Sequence, residues 1–201
     1  MEKDQTEKRV ASVTRTTKET DIALTLNLDG SGQAQIHTGV GFFDHMLHSF
    51  ARHGLFDLEV KVKGDLEVDT HHTIEDTGIV LGNAIRKAVG DKSGIARYGF
   101  WALPMDEALI LCAVDLCGRP YLSYSLKLDR EKVGDLETEM VREFFYAVSY
   151  GAAMNLHIKQ MDGSNNHHII EGAFKAFAKA LEEAVRRDSR ITGVLSTKGA
   201  L

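Results

Sequence analysis

Two strings of one type occur in the chain: His71-His72-Thr73-Ile74-Glu75 and His167-His168-Ile169-Ile170-Glu171. Neutral imidazoles and carboxylates are the usual ligands for borderline divalent metals. On a helix, His71 and Glu75 stand one turn apart and share a face, whereas His72 lies about 100° round the axis. One string therefore feeds two sites. His71 with Glu75 serves one ion and His72 another; in the second copy His167 with Glu171 serves one and His168 the other. The helix preceding each string should add a further ligand. His45, in Phe42-Phe43-Asp44-His45-Met46-Leu47-His48, is the candidate in the first half, and aligning the halves puts Glu143 at the matching place in the second. Four mixed nitrogen and oxygen ligands leave two octahedral positions open, which suits Mn²⁺ and leaves room for a substrate. A lone histidine at a helix start more often caps or packs. Here seven of nine histidines crowd into three short stretches, and one pattern occurs twice, so metal is the better reading.

The elements that must carry these groups can be read from the hydrophobic pattern. Strand-like runs span Arg9–Thr16 and Ile22–Leu28, and Asp29-Gly30-Ser31-Gly32 reads as a hairpin turn into Gln33–His37. A helix from about Phe42 to Arg52 puts Phe43, Met46, Leu47 and Phe50 on one stripe. Leu55–Val62 alternates as a strand. Thr70–Val89 is helical, with Ile74, Ile79, Leu81 and Ile85 toward the core and Gly90 as its stop. The second half runs in the same order: strands Tyr98–Leu103, Ala108–Leu116 and Tyr121–Leu126, helix Leu136–Ala153, strand Asn155–Lys159 and helix Asn166–Arg187. Phe56-Asp57-Leu58-Glu59-Val60-Lys61 aligns with Met154-Asn155-Leu156-His157-Ile158-Lys159, and the histidine strings then fall in the same slot after a loop two residues shorter. The fold class expected is α/β of the α+β kind: two duplicated β-β-β-α-β-α halves, each a four-stranded sheet with helices on one face. Residues 1–201 form a single domain of two repeats, about 9–92 and 93–190, followed by a tail, 191–201.

Composition narrows the class. With 43% hydrophobic and 26% charged residues the chain can bury a real core. A net charge of −5 gives no basic footprint for nucleic acid. No apolar run approaches the roughly 18 residues of a membrane span, and the opening MEKDQTEKRV is charged, unlike a signal peptide. Cys112 and Cys117 lie five apart in a strand-like stretch, on opposite faces, which argues against a mutual disulfide and fits a reducing cytoplasm.

Thr38-Gly39-Val40-Gly41-Phe42-Phe43-Asp44-His45-Met46-Leu47, Asp69-Thr70-His71-His72-Thr73-Ile74-Glu75-Asp76, Asn166-His167-His168-Ile169-Ile170-Glu171 and Ser196-Thr197-Lys198-Gly199 together resemble the imidazoleglycerol-phosphate dehydratase family. The resemblance runs from about Arg9 to the C-terminus. It implies a ribosomal protein S5 domain 2-like fold, two Mn²⁺ per active site and a homo-oligomer, usually a 24-mer. First-half residues of one subunit would there meet second-half residues of its neighbour. The reaction implied is dehydration of imidazole glycerol phosphate in histidine biosynthesis. Many members carry His where this chain has Glu143. By the same resemblance His45, His71, His72 and Glu75 contact the substrate as well as metal, and Glu75 or Glu171 manages ring or leaving-group protons. Glu19 and His53 are candidates for the carbon proton, with His48 and Asp106 weaker members of that group. Arg97, Arg119, Lys175, Ser196, Thr197 and Lys198 would line a phosphate pocket, where guanidinium forks match phosphate oxygens.

Two other classes fit the same ligands. A metal-dependent phosphohydrolase would use two metals and basic phosphate contacts, though its sites are usually richer in Asp. A non-catalytic metal-binding cage would keep the ligands and need no phosphate pocket.

Overall fold

The computed structural model describes residues 9–201; most of the charged opening segment lies outside them. In the first half β1 (Val10–Thr16), β2 (Thr20–Asn27), β3 (Ala34–His37) and β4 (Asp57–Gly64) form one sheet, with α1 (Gly41–Gly54) and α2 (His71–Val89). The second half repeats this with β5 (Tyr98–Met105), β6 (Ala108–Asp115), β7 (Tyr121–Ser125), α3 (Glu139–Gly151), β10 (Asn155–Asp162) and α4 (Asn166–Val185). Strand orders are β1-β2-β4-β3 and β5-β6-β10-β7, the same path twice. A two-stranded ribbon, β8 (Lys132–Val133) with β9 (Leu136–Glu137), interrupts only the second half. Leu136 and Glu137, expected to open a helix, belong to this ribbon, and α3 starts at Glu139.

The expected hairpin into the third strand is not formed. β3 does not pair with β2; it runs parallel to β4, on the far side of that strand. The cause lies in Asp57, whose carboxylate accepts the backbone N–H groups of Ser31 at 2.8 Å and Gln33 at 3.0 Å. Those bonds wrap the 28–33 turn over the start of β4. Gly30 permits the approach, since a Cβ there would stand 2.3 Å from the Asp57 backbone nitrogen.

Each sheet is covered on one face by two helices, α1 and α2 on the first sheet, α3 and α4 on the second. The two helix layers then face each other, α1 against α4 and α2 against α3. Period-3.6 stripes meet at this seam as an aromatic cluster: Phe50 stacks on Phe177, Phe144 on Phe174, and Phe43 meets Phe144 edge-on. All six rings of Phe43, Phe50, Phe144, Phe145, Phe174 and Phe177 are fully buried, each worth about 1.5–3 kcal/mol of transfer free energy. Of the expected α2 core positions, Ile74, Leu81 and Ile85 are buried, while Ile79 is half-exposed and Val80 takes the inward place. At the α2–α3 crossing the backbones nearly touch, because Gly78, Gly82 and Gly151 carry no side chain there.

The outer faces of the two sheets differ. On the first sheet the cross-strand rows read Ser12, Thr25, Glu59, Gln35 and Thr14, Ala23, Lys61, His37. On the second they include Tyr98, Asp115, Asn155, Tyr121 and Phe100, Ala113, His157, Ser123. Tyr98, Phe100 and Tyr121 are each more than half exposed. Both cysteines are buried free thiols, with Cys117 just past the end of β6 rather than across from Cys112. Among the described residues no helix is long and apolar enough to cross a membrane.

Candidate metal centre

The sequence spacing places each His–Glu pair on one helix face, and the structure brings them together. His71 Nε2 lies 3.3 Å from Glu75 Oε2, and His167 Nε2 lies 3.0 Å from Glu171 Oε2. Asn165 caps α4, its side chain accepting the His167 N–H at 2.9 Å. His45 does not join the string of its own half. It stands over α4, 3.5 Å from Glu171 Oε2, and His45, His167 and Glu171 offer ligand atoms within 4.8 Å of one another. The reason is the helix pairing: α1 packs on α4, not beside the start of α2. The first half thus adds His45 to the second half's His–Glu pair within one chain.

Two imidazole nitrogens and a carboxylate oxygen suit Mn²⁺, Zn²⁺ or a similar borderline ion. Glu171 is 9% exposed in its side chain, whereas His45 is 51% and His167 44% exposed. The carboxylate is therefore buried against α4 while the imidazoles stand open to the outside. Burial pushes the Glu171 carboxyl up, but the Lys175 ammonium at 2.7 Å, together with His167 and His45, outweighs it and holds the group ionised below its ordinary value. Phe42 closes one side, its ring edge-on to His167 at 5.0 Å.

The matching group on α2 is less complete. Glu143 lies on α3, the helix packed on α2, but its carboxylate is engaged by Arg142 at 2.7 Å. Among the described residues Glu143, His71 and Glu75 do not form a set of three.

His72 and His168 point away from these groups, as the helical geometry requires. Each donates from Nδ1 to a carboxylate, His72 to Asp65 at 3.0 Å and His168 to Glu107 at 2.7 Å. A carboxylate only accepts, so Nδ1 carries the proton and the neutral ring presents Nε2 as a free ligand atom. That Nε2 faces Glu19 at 3.8 Å in the first half and Asp106 at 3.7 Å in the second. The hydrogen bond to Asp65 raises the His72 pKa, and that to Glu107 raises the His168 pKa. Glu107 itself is pulled down to about 2, by His168 first and then by the N–H groups of Asn165 and Ser164. Sequence reasoning missed Asp65 and Glu107 as orienting groups. They sit in loops, seven residues before one histidine and sixty-one before the other, and no helical spacing links them.

The expected phosphate residues fall in two places. Arg97 is held with positive φ, forks onto Asp115 at 2.8 and 3.2 Å, and donates to the Leu195 carbonyl at 2.7 Å. The tail is thus tied to Arg97, and its last residue, Leu201, lies against Gly118, beside Arg119. Ser196 and Lys198 close a turn there, the Lys198 N–H donating to Ser196 Oγ at 3.2 Å. Lys175 sits instead at Glu171. His53 Nδ1 donates to the Ser49 carbonyl, 2.8 Å away, near the C-terminal end of α1. Eight residues of helix put it about 12 Å along the axis from His45, so one chain does not join the two.

Fold and site together define an internally duplicated α/β protein whose halves jointly assemble a histidine–carboxylate group fit for a divalent metal. The family model described as imidazoleglycerol-phosphate dehydratase matches residues 38–181. The chain belongs to the imidazoleglycerol-phosphate dehydratase family, hydro-lyases of histidine biosynthesis. It is 67% identical to the imidazoleglycerol-phosphate dehydratase of Lachnoclostridium phytofermentans over 96% of this chain and 98% of that one. It is 61% identical to that of Acetivibrio thermocellus, over 96% and 99%. The solved Staphylococcus aureus enzyme superposes with a TM-score of 0.81 at 40% identity, covering 89% of this chain and 99% of that one. The Pyrococcus furiosus enzyme gives a TM-score of 0.82 at 36% identity, covering 94% and 100%.

Proposed function

We propose that the chain catalyses the Mn²⁺-dependent dehydration of D-erythro-imidazole glycerol phosphate to imidazole acetol phosphate. The observation that carries this reading is the joining of His45 from the first half to His167 and Glu171 of the second. Two Mn²⁺ per active site would be held by His45, His71, His72, Glu75, Glu143, His167, His168 and Glu171. When bound, Mn²⁺ supplies a Lewis acid for the ring nitrogens, lowering the pKa of the imidazole.

The chain's own residues do the rest. Arg97, Arg119, Lys175, Ser196, Thr197 and Lys198 hold the phosphate through charge-assisted hydrogen bonds and fix the glycerol chain. Glu171, kept ionised by Lys175, and Glu75 manage ring and leaving-group protons. The hydroxyl next to the ring leaves as water after gaining a proton. Glu19 or His53 takes the proton from the neighbouring carbon, and the resulting enol tautomerises to the ketone.

In this reading the domain is one unit of two repeats, 9–92 and 93–190, with the tail 191–201, and it works in the cytoplasm as a 24-mer with shared sites. Three features support sharing. His45 and His167 stand open, His72 and His168 turn Nε2 away from the carboxylates that hold Nδ1, and the outer face of the second sheet exposes Tyr98, Phe100 and Tyr121. Incubation with imidazole glycerol phosphate tests the reaction: the proposal requires ketone without release of inorganic phosphate. Phosphate release without ketone would refute it.

A further inference from the structure

The helix N-termini that carry the candidate ligands are tied to one short segment, 129–138. Asp135 accepts the backbone N–H groups of Gly41 at 2.6 Å and Phe42 at 2.9 Å, at the open start of α1 and one turn before His45. Glu137 accepts the hydroxyl of Thr70, the residue before His71. Asp129 accepts the side-chain amide of Asn166 at 2.6 Å, and the Arg130 N–H donates to Asn166 Oδ1 at 3.2 Å, next to His167. Thr138, at the start of α3, donates to the Arg130 carbonyl at 2.6 Å and closes the segment on itself. Gly134, with φ +61, lies against Phe42, whose ring meets His167.

This segment has no counterpart in the other half. Only three residues separate β3 from α1, against thirteen between β7 and α3, and the added length contains the ribbon. Duplicated halves that need only four strands and two helices do not need it for their topology. Its polar groups reach instead to the starts of α1, α2 and α4, the three helices bearing His45, His71 with Glu75, and His167 with Glu171. An α-helix start leaves backbone N–H groups unpaired, so a carboxylate placed there fixes where the first turn sits.

We propose that segment 129–138 is a clamp that sets the spacing of the metal ligands, with Asp135 the positioning residue for the α1 ligand and Glu137 for the α2 ligands. The proposal rests on the metal assignment made above. Asp135 acts on His45 through the first turn of α1, and Glu137 acts on His71 and Glu75 through Thr70. Neither contacts the ion.

The test is a Mn²⁺ titration of metal-free full-length protein, followed by electron paramagnetic resonance, with His45→Ala and His71→Ala marking the two classes of site. Asp135→Ala should weaken the class lost in His45→Ala by about 10–100-fold, the range for groups that orient a ligand, and leave the other class within about twofold. Asp135→Asn, which keeps one acceptor oxygen, should weaken it less. Thr70→Val should show the reverse selectivity, and it carries the test if Asp135→Ala does not fold. Equal Mn²⁺ affinity in wild type and folded variants, or equal weakening of both classes, overturns the clamp. Wild-type protein that binds no Mn²⁺ overturns the proposed function itself.

Discussion

Gly82 sits where α2 and α3 cross, and replacing it with alanine tests the account of how the helix layers are held. A Cβ at this position would stand 2.6 Å from the Val148 carbonyl oxygen, 2.8 Å from the Ala152 nitrogen and 2.9 Å from the Gly151 Cα. All three are backbone atoms, so no side chain can rotate out of the way. Two effects oppose each other. Alanine gains about 1 kcal/mol over glycine in a helix interior. Overpacking costs about 1–3 kcal/mol, and here the upper part of that range applies, because one added carbon displaces three backbone atoms together. Strain wins by about 1–2 kcal/mol. For a chain of this size that lowers the Tm by about 2–8 °C. Thermal unfolding of the metal-free protein by circular dichroism reads this directly, with Lys87→Ala, at an exposed position of α2, beside it as a control for helix propensity. A Tm for Gly82→Ala equal to or above wild type would refute the close approach of α2 and α3.

Glu171→Gln removes the buried charge shared by His45, His167 and Lys175, and should weaken Mn²⁺ binding by about 100-fold or more in a calorimetric titration; unchanged affinity would remove Glu171 from the ligand set. Arg97→Ala frees the Leu195 carbonyl and removes a charged fork, so KM for the phosphorylated substrate should rise about tenfold or more, and trypsin should cut faster after Lys198. Equal KM and equal cleavage would show that Arg97 serves neither phosphate nor tail. Asp57→Ala removes the anchor of the 28–33 turn and should cost about 1.5 kcal/mol at pH 7. The Ser31 N–H first, and then that of Gln33, holds the Asp57 carboxyl below its ordinary 3.8 against the effect of burial. Its stabilisation is therefore present above 3.8 and fades as pH falls through the lowered value. Urea unfolding at pH 7 and at pH 3 checks this; a difference between wild type and variant that grows toward low pH would contradict the sign.

The repeat and the two ligand pairs were legible because both rest on local periodicity. His71 with Glu75 and His167 with Glu171 need only 3.6 residues per turn, and the aligned strand–loop–helix strings need only comparison of the chain with itself. The turn at Asp29-Gly30-Ser31-Gly32 misled for the converse reason. Its residues are good hairpin formers, but Asp57, twenty-six residues past Ser31, decides where the chain goes. The sequence marks His45 as a ligand candidate of the first half, and the structure sets it beside His167 and Glu171 of the second, since nothing in a single sequence tells which helix α1 packs on. Asp65, Glu107 and the 129–138 segment act through contacts between loops, and no spacing rule reaches them. Glu143 takes the place of His45 when the halves are aligned, but alignment does not reveal the Arg142 guanidinium that pairs with it at 2.7 Å in the chain.

Metal-dependent dehydration is tested most directly by a Mn²⁺ titration of chelator-stripped protein, reading ketone formation from imidazole glycerol phosphate against bound metal. The stripped sample should show no turnover, with activity rising in step with Mn²⁺ until two ions are bound per active site. Full turnover in a sample with no detectable metal would contradict it.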